Sequence, residues 1–219
     1  MKRIMVIAVL CGLVAPPALA DFSGNTRFAG SLQWEDGLFA TASWADSATR
    51  IQWWVSENLD GTYHYKYQFN VDAKEFSHFI FEISDDFPKD GDFLNLITSD
   101  LSDPEVASYS VGGSNPGMPA SMWGVKFDTD RDDTEWTIEF DVTRSPMWGN
   151  VYAKDGRDGG TEVYLYNQGF LGVGSIDRYA EFAPGAYIAV PNHFVPVPGA
   201  VLLGMLGLGY AGMKLRKHA

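Results

Sequence analysis

The 219-residue chain has a single cysteine, Cys11, near its start. From position 12 onward there is no thiol, which excludes disulfides, thiolate metal centres and cysteine nucleophiles from the bulk of the chain. Histidine is nearly as scarce: His64, His78 and His193 are the only three between residues 21 and 217. Acidic residues are missing from both ends, with none before position 21 and none after 194. Residues 21–194 hold no G-x-S-x-G elbow, H-E-x-x-H pair, Walker loop or dinucleotide fingerprint, so the short signatures of those chemistries are absent there. Before residue 195 no stretch keeps a 3.6-residue apolar period for three turns, which argues against a helical domain.

The two long apolar runs sit at the ends. Lys2 and Arg3 precede an apolar segment over residues 4–14, and Ala18-Leu19-Ala20 forms an A-x-A site. That is the arrangement of a cleaved secretory signal, with residues 1–20 removed and Asp21 as the first mature residue. A lipoprotein signal would want a small residue before Cys11, and Leu10 stands there. At the other end Val195-Pro196-Val197-Pro198 leads into residues 199–213, which carry no charge. Those 15 residues span roughly 22 Å as a helix. Counted from Val195 the run is 19 residues, close to the roughly 20 that cross a hydrocarbon core. Lys214, Arg216 and Lys217 would then hold the tail in the cytoplasm, with the bulk of the chain outside.

Together these features resemble the PEP-CTERM sorting signal of Gram-negative bacteria. The matching residues are Val195-Pro196-Val197-Pro198-Gly199-Ala200, the glycine-rich apolar run after them, and Lys214-Leu215-Arg216-Lys217. The usual Pro-Glu-Pro is Pro196-Val197-Pro198 here, as in the V-P-x-P-G-A variant of the signal. The resemblance covers residues 195–219 and implies a sequence of events. Sec-type machinery and signal peptidase export the chain, and its C-terminus anchors it transiently in the inner membrane. An exosortase-type membrane transpeptidase then cuts near the prolines, and the passenger passes to the cell surface or the exterior. A plain single-pass anchor that is never cut is the alternative. Five glycines in residues 199–213 weaken a helix and favour the protease substrate.

Residues 21–194 are enough for one sizeable domain with a real core. They hold all 28 acidic residues and eleven of the basic ones, a net charge of −17. Such a balance argues against nucleic acid and against anionic lipid. The chain reads as strands throughout. Tyr63, Tyr65, Tyr67, Phe69 and Val71 alternate with polar residues over 62–71, and Phe79, Phe81 and Ile83 alternate over 75–84. These two segments are expected to pair as a hairpin through Asp72-Ala73-Lys74, with His64 and His78 on its wet face. Trp136, Ile138, Phe140 and Val142 alternate over 135–142. Shorter candidates cover 31–34, 39–44, 50–56, 93–98, 106–111, 123–127, 148–153, 161–166 and 187–190, with Gly-rich turn signals between them. The expectation is an all-β domain, an antiparallel β-sandwich of jelly-roll type, plus one C-terminal transmembrane helix. More loosely, segments such as 63–67, 76–82 and 148–156 resemble exported β-rich domains joined to this sorting signal, a likeness that implies no site residue.

Three constellations are candidates for chemistry. Asp128, Asp130 and Asp132 imitate the start of a calcium loop, with Glu139 at the twelfth position. Asp133 stands where an EF-hand needs glycine, so a Ca²⁺-holding hairpin loop and a plain solvated acidic turn both remain open. Asp85, Asp86, Asp90 and Asp92 form a second acidic loop. All seven tryptophans lie in the middle region, and Trp53 and Trp54 are adjacent, so in a strand they point to opposite faces. One of the two is therefore a candidate sugar-stacking ring, with core packing as the alternative. Paired carboxylates would also serve glycoside hydrolysis, though no particular pair stands out. The expected function is a non-enzymatic structural or adhesive component of exopolysaccharide or biofilm. A carbohydrate-binding module is the alternative, and a secreted hydrolase the third reading.

Overall fold

The structure is a computed structural model that describes residues 28–87, 93–98, 104–129, 133–172, 177–178 and 185–192. The signal-cleavage residues Ala18, Ala20 and Asp21 lie outside the described residues, as does the sorting segment from Val195 to Lys217. No helix among the described residues is long and apolar enough to cross a membrane.

Within the described residues the fold is all-β. The strands are β1 (Gly30–Trp34), β2 (Gly37–Ala40), β3 (Arg50–Glu57), β4 (Tyr63–Asn70), β5 (His78–Glu82), β6 (Leu94–Thr98) and β7 (Glu105–Tyr109). They continue with β8 (Met122–Asp128), β9 (Glu135–Val142), β10 (Pro146–Gly149), β11 (Val151–Asp158), β12 (Thr161–Asn167) and β13 (Ile188–Pro191). Eleven of them form one sheet in the order β6-β9-β4-β3-β1-β2-β12-β11-β5-β8-β7, and β10 pairs with β13 separately. Every described pairing is antiparallel except β1 with β2.

That exception turns the sheet's corner. Glu35 and Gly37 both have positive φ, and the chain steps sideways between them. β1 stays on β3 while β2 moves to β12, so one run of chain serves both halves of the sheet. A bend of this kind lets a large twisted sheet curl over its own core. The inward aromatics show the result. Tyr67 of β4 meets Phe81 of β5 at 4.4 Å between ring centroids, and Phe69 meets Phe79 at 4.3 Å.

The expected hairpin of 62–71 with 75–84 is therefore corrected. β4 lies between β3 and β9, and β5 lies between β11 and β8. The chain passes from one layer to the other over residues 72–77, exposed at Asp72, Ala73 and Lys74, with Lys74 at φ +67. The two aromatic stripes stack face to face instead of edge to edge, because alternation fixes which side is apolar and leaves the hydrogen-bonding neighbour open.

The expected wet face of β5 is corrected too. His78 is 5% exposed and Ile80 is wholly buried. The segment 110–121 lies over the outer side of β5, β11 and β12, adding Met118 to a second cluster with Ile80, Tyr152, Tyr166 and Phe170. Asn115 ties it down, facing His78 Nε2 at 3.1 Å, and Tyr152 donates from its hydroxyl to Pro116 O at 2.7 Å. Gly117 lies flat on the Tyr164 ring, where a Cβ would collide. Smaller departures are local. The candidate strand 148–153 breaks at Asn150 between β10 and β11, and 39–44 ends in a 3-10 turn at Ala42–Trp44.

Candidate functional site

The outer face of β1, β3, β4, β9 and β6 is the broad open surface that carries the expected tryptophan. Trp53 turns inward and is 1% exposed, and Trp54 turns outward and is 37% exposed. Gly30 of β1 explains the snug inner fit, since a Cβ there would lie 2.5 Å from Trp53 Cζ2.

Register builds a grid around Trp54. In its own row Trp54 faces Lys66, which faces Glu139, which faces Ile97. On one side run Ser31, Gln52, Gln68 and Thr137, and beyond them Gln33, Arg50, Asn70 and Glu135. On the other side run Ser56, His64, Asp141 and Leu94. Neighbouring strands stand about 4.8 Å apart, so each row is a near-continuous line of side chains. Within it Lys66 Nζ meets Glu139 at 2.6 Å, His64 Nδ1 meets Asp141 at 2.8 Å, and Arg50 Nε donates to Asn70 Oδ1 at 3.2 Å. Burial pushes the Asp141 carboxyl up, but hydrogen bonds from Asn95, His64 and Asn58 outweigh it and hold the group below the usual carboxylate range. Amides and matched charges beside an exposed indole make a surface suited to flat, hydroxyl-rich ligands.

Of the calcium candidates, the structure describes Asp128 and Glu139, and these two stand in different parts of the sheet. Asp130 and Asp132 lie outside the described residues. Asp128 ends β8 with Lys126 Nζ at 3.0 Å, on the strand between β5 and β7. Glu139 is four residues inside β9, about 13 Å along it, on the outer face of the opposite layer with Lys66. Strand pairing holds the Glu139 carboxylate on the sheet face opposite Lys66, away from Asp128 at the end of β8. Among the described residues no group of three or more His, Cys, Asp or Glu is arranged to hold a metal. In the second acidic loop, Asp86 meets Arg144 Nη1 at 3.0 Å, while Asp90 and Asp92 lie outside the described residues. His64 and His78 sit in different layers, apart from one another.

Sequence reasoning missed Gln52, Gln68 and Lys66 as companions of Trp54. The signal that would find them is charge complementarity. His64 and Lys66 alternate along one strand, Glu139 and Asp141 along another, and opposite charges favour that pairing. Comparison with family models, with curated proteins and with solved structures finds no match to this chain.

Proposed function

We propose that this chain is an exported, non-enzymatic structural or adhesive component of a cell-surface or exopolysaccharide matrix. Its ends are the addresses: a signal peptide for Sec-type export, and a PEP-CTERM-like tail for an exosortase-type protease. In this reading the curled sheet acts as a β-sandwich of jelly-roll type, presenting the Trp54 face to polysaccharide. The observation that carries the reading is the exposed Trp54 within a grid of amides and nearly balanced charge. Arg50 and Lys66 stand there against Glu135, Glu139 and Asp141, whereas the middle region as a whole is −17. A neutral patch on an acidic domain supports contact with uncharged or weakly charged glycan.

The test is polysaccharide pull-down from the native matrix with the Trp54→Ala variant. Retention is expected to fall at least tenfold while the fold is unchanged. Undiminished retention would remove the face from the proposal. A defined oligosaccharide specificity at this face would favour the carbohydrate-binding module over the matrix component. Polysaccharide turnover abolished by one Asp or Glu change would replace both with a hydrolase.

A further inference from the structure

Two adjoining cavities of about 250 and 560 Å³ open at the end of the sheet where β5 stops and β8 and β11 begin. They share Glu82, Trp123 and Arg178. Arg178 Nη1 meets one oxygen of Glu82 at 2.7 Å, and Asn150 donates to the other from its backbone N–H at 2.9 Å and from Nδ2 at 2.6 Å. Asn167, wholly buried, holds Asn150 in turn: its Nδ2 donates to Asn150 Oδ1 at 3.0 Å and to Ala186 O at 2.7 Å. Its Oδ1 accepts from Val151 N–H at 2.8 Å. The carboxylate is thus aimed by an amide relay rooted in the core, the support that a binding group needs to keep its geometry.

Glu82 and Arg178 still reach the cleft, with 15% and 36% of their side chains exposed. Side by side they offer acceptors and donors, the complement of neighbouring hydroxyls. The half-buried indole of Trp123 lines both cavities, and Phe170 adds an apolar wall to the larger one. The larger volume falls within the roughly 300–1,000 Å³ of small-ligand sites. An anion would meet Glu82 and Asp85 and a cation would meet Arg178, so the lining favours a neutral ligand.

We propose that this cleft is a second glycan site, taking one neutral hexose unit with Trp123 against its apolar face and Glu82 and Arg178 on its hydroxyls. It rests on the polysaccharide reading for its ligand class and is separate from the Trp54 face.

The experiment is an NMR titration of the tryptophan Nε1–H resonances with cellotetraose, mannotetraose, laminaritetraose and galactotetraose. At least one should shift the Trp123 resonance saturably. Arg178→Leu should weaken that response at least tenfold. So should Ser121→Tyr, which fills the larger cavity from its exposed rim and leaves the ion pair in place. Trp54→Ala should leave it unchanged. The cleft is overturned if none of the four moves Trp123, or if both cleft variants respond as the parent does. A response confined to Trp54 would also overturn it and leave the face reading standing.

Discussion

His78 lies 5% exposed in β5, its Nε2 against Asn115, with Lys154 on β11 and Lys126 and Asp128 on β8 around it. Burial pushes its pKa down from 6.5 to about 4, helped by Lys154 and opposed by Asp128. The unfolded chain therefore takes up this proton first as pH falls. The stability tied to neutral His78 is complete above pH 6.5 and declines between pH 6.5 and about 4. The slope from this one group is at most about 1.4 kcal/mol per pH unit. Urea melts at pH 7, 5.5 and 4 should show the decline in the parent, and the difference from His78→Gln isolates it, since glutamine keeps a donor for Asn115. Parallel pH profiles for the two proteins would refute it. Gly30 makes a second residue-scale case. Gly30→Ala drives a Cβ into the packed Trp53 indole and should cost about 1–3 kcal/mol by chemical denaturation. A change below a few tenths would mean that the indole gives way freely.

At the scale of elements, the β4–β9 pair carries the densest polar order on the candidate face. Lys66 and Glu139 are 37% and 21% exposed, so their ion pair contributes only about 0.5 kcal/mol in water. Its sign still matters for register. Lys66→Glu would set like charges opposite each other and should destabilise by up to about 1 kcal/mol, and adding Glu139→Lys should recover most of the loss. A double-mutant cycle by thermal melting measures the coupling, and additive losses would mean that the two side chains do not interact. The segment 110–121 is the counterpart on the other layer. It has no ladder of its own, and it is held by one buried amide and by aromatic contact. It makes β5 a strand buried on both faces, which is why the polar-looking His78 ends up dry.

At the scale of the whole molecule, one sheet folds over itself so that its two halves enclose a shared core and keep two distinct outer surfaces. The open face holds Trp54, and the end cleft holds Trp123, Glu82 and Arg178. Much of this was legible in the order of residues. Period-two alternation is local, set by the pleat, so Tyr65, Tyr67, Phe69, Trp136, Ile138 and Phe140 were readable as inward-facing. The same geometry places Trp53 and Trp54 on opposite faces of β3. Pairing is different in kind. β2 meets β12 across more than a hundred residues, and the step at Glu35 and Gly37 that permits it leaves almost no trace in composition. Each apolar stripe is satisfied equally well by an edge neighbour or by a facing layer, so the choice rests on how all the stripes close one core together. That closure put β4 against β5 through their rings, dried His78, held Glu139 away from Asp128, and assembled Glu82, Asn150, Asn167 and Arg178 from distant segments. Strand identity and facing follow from neighbours along the chain, whereas a site follows from neighbours in space.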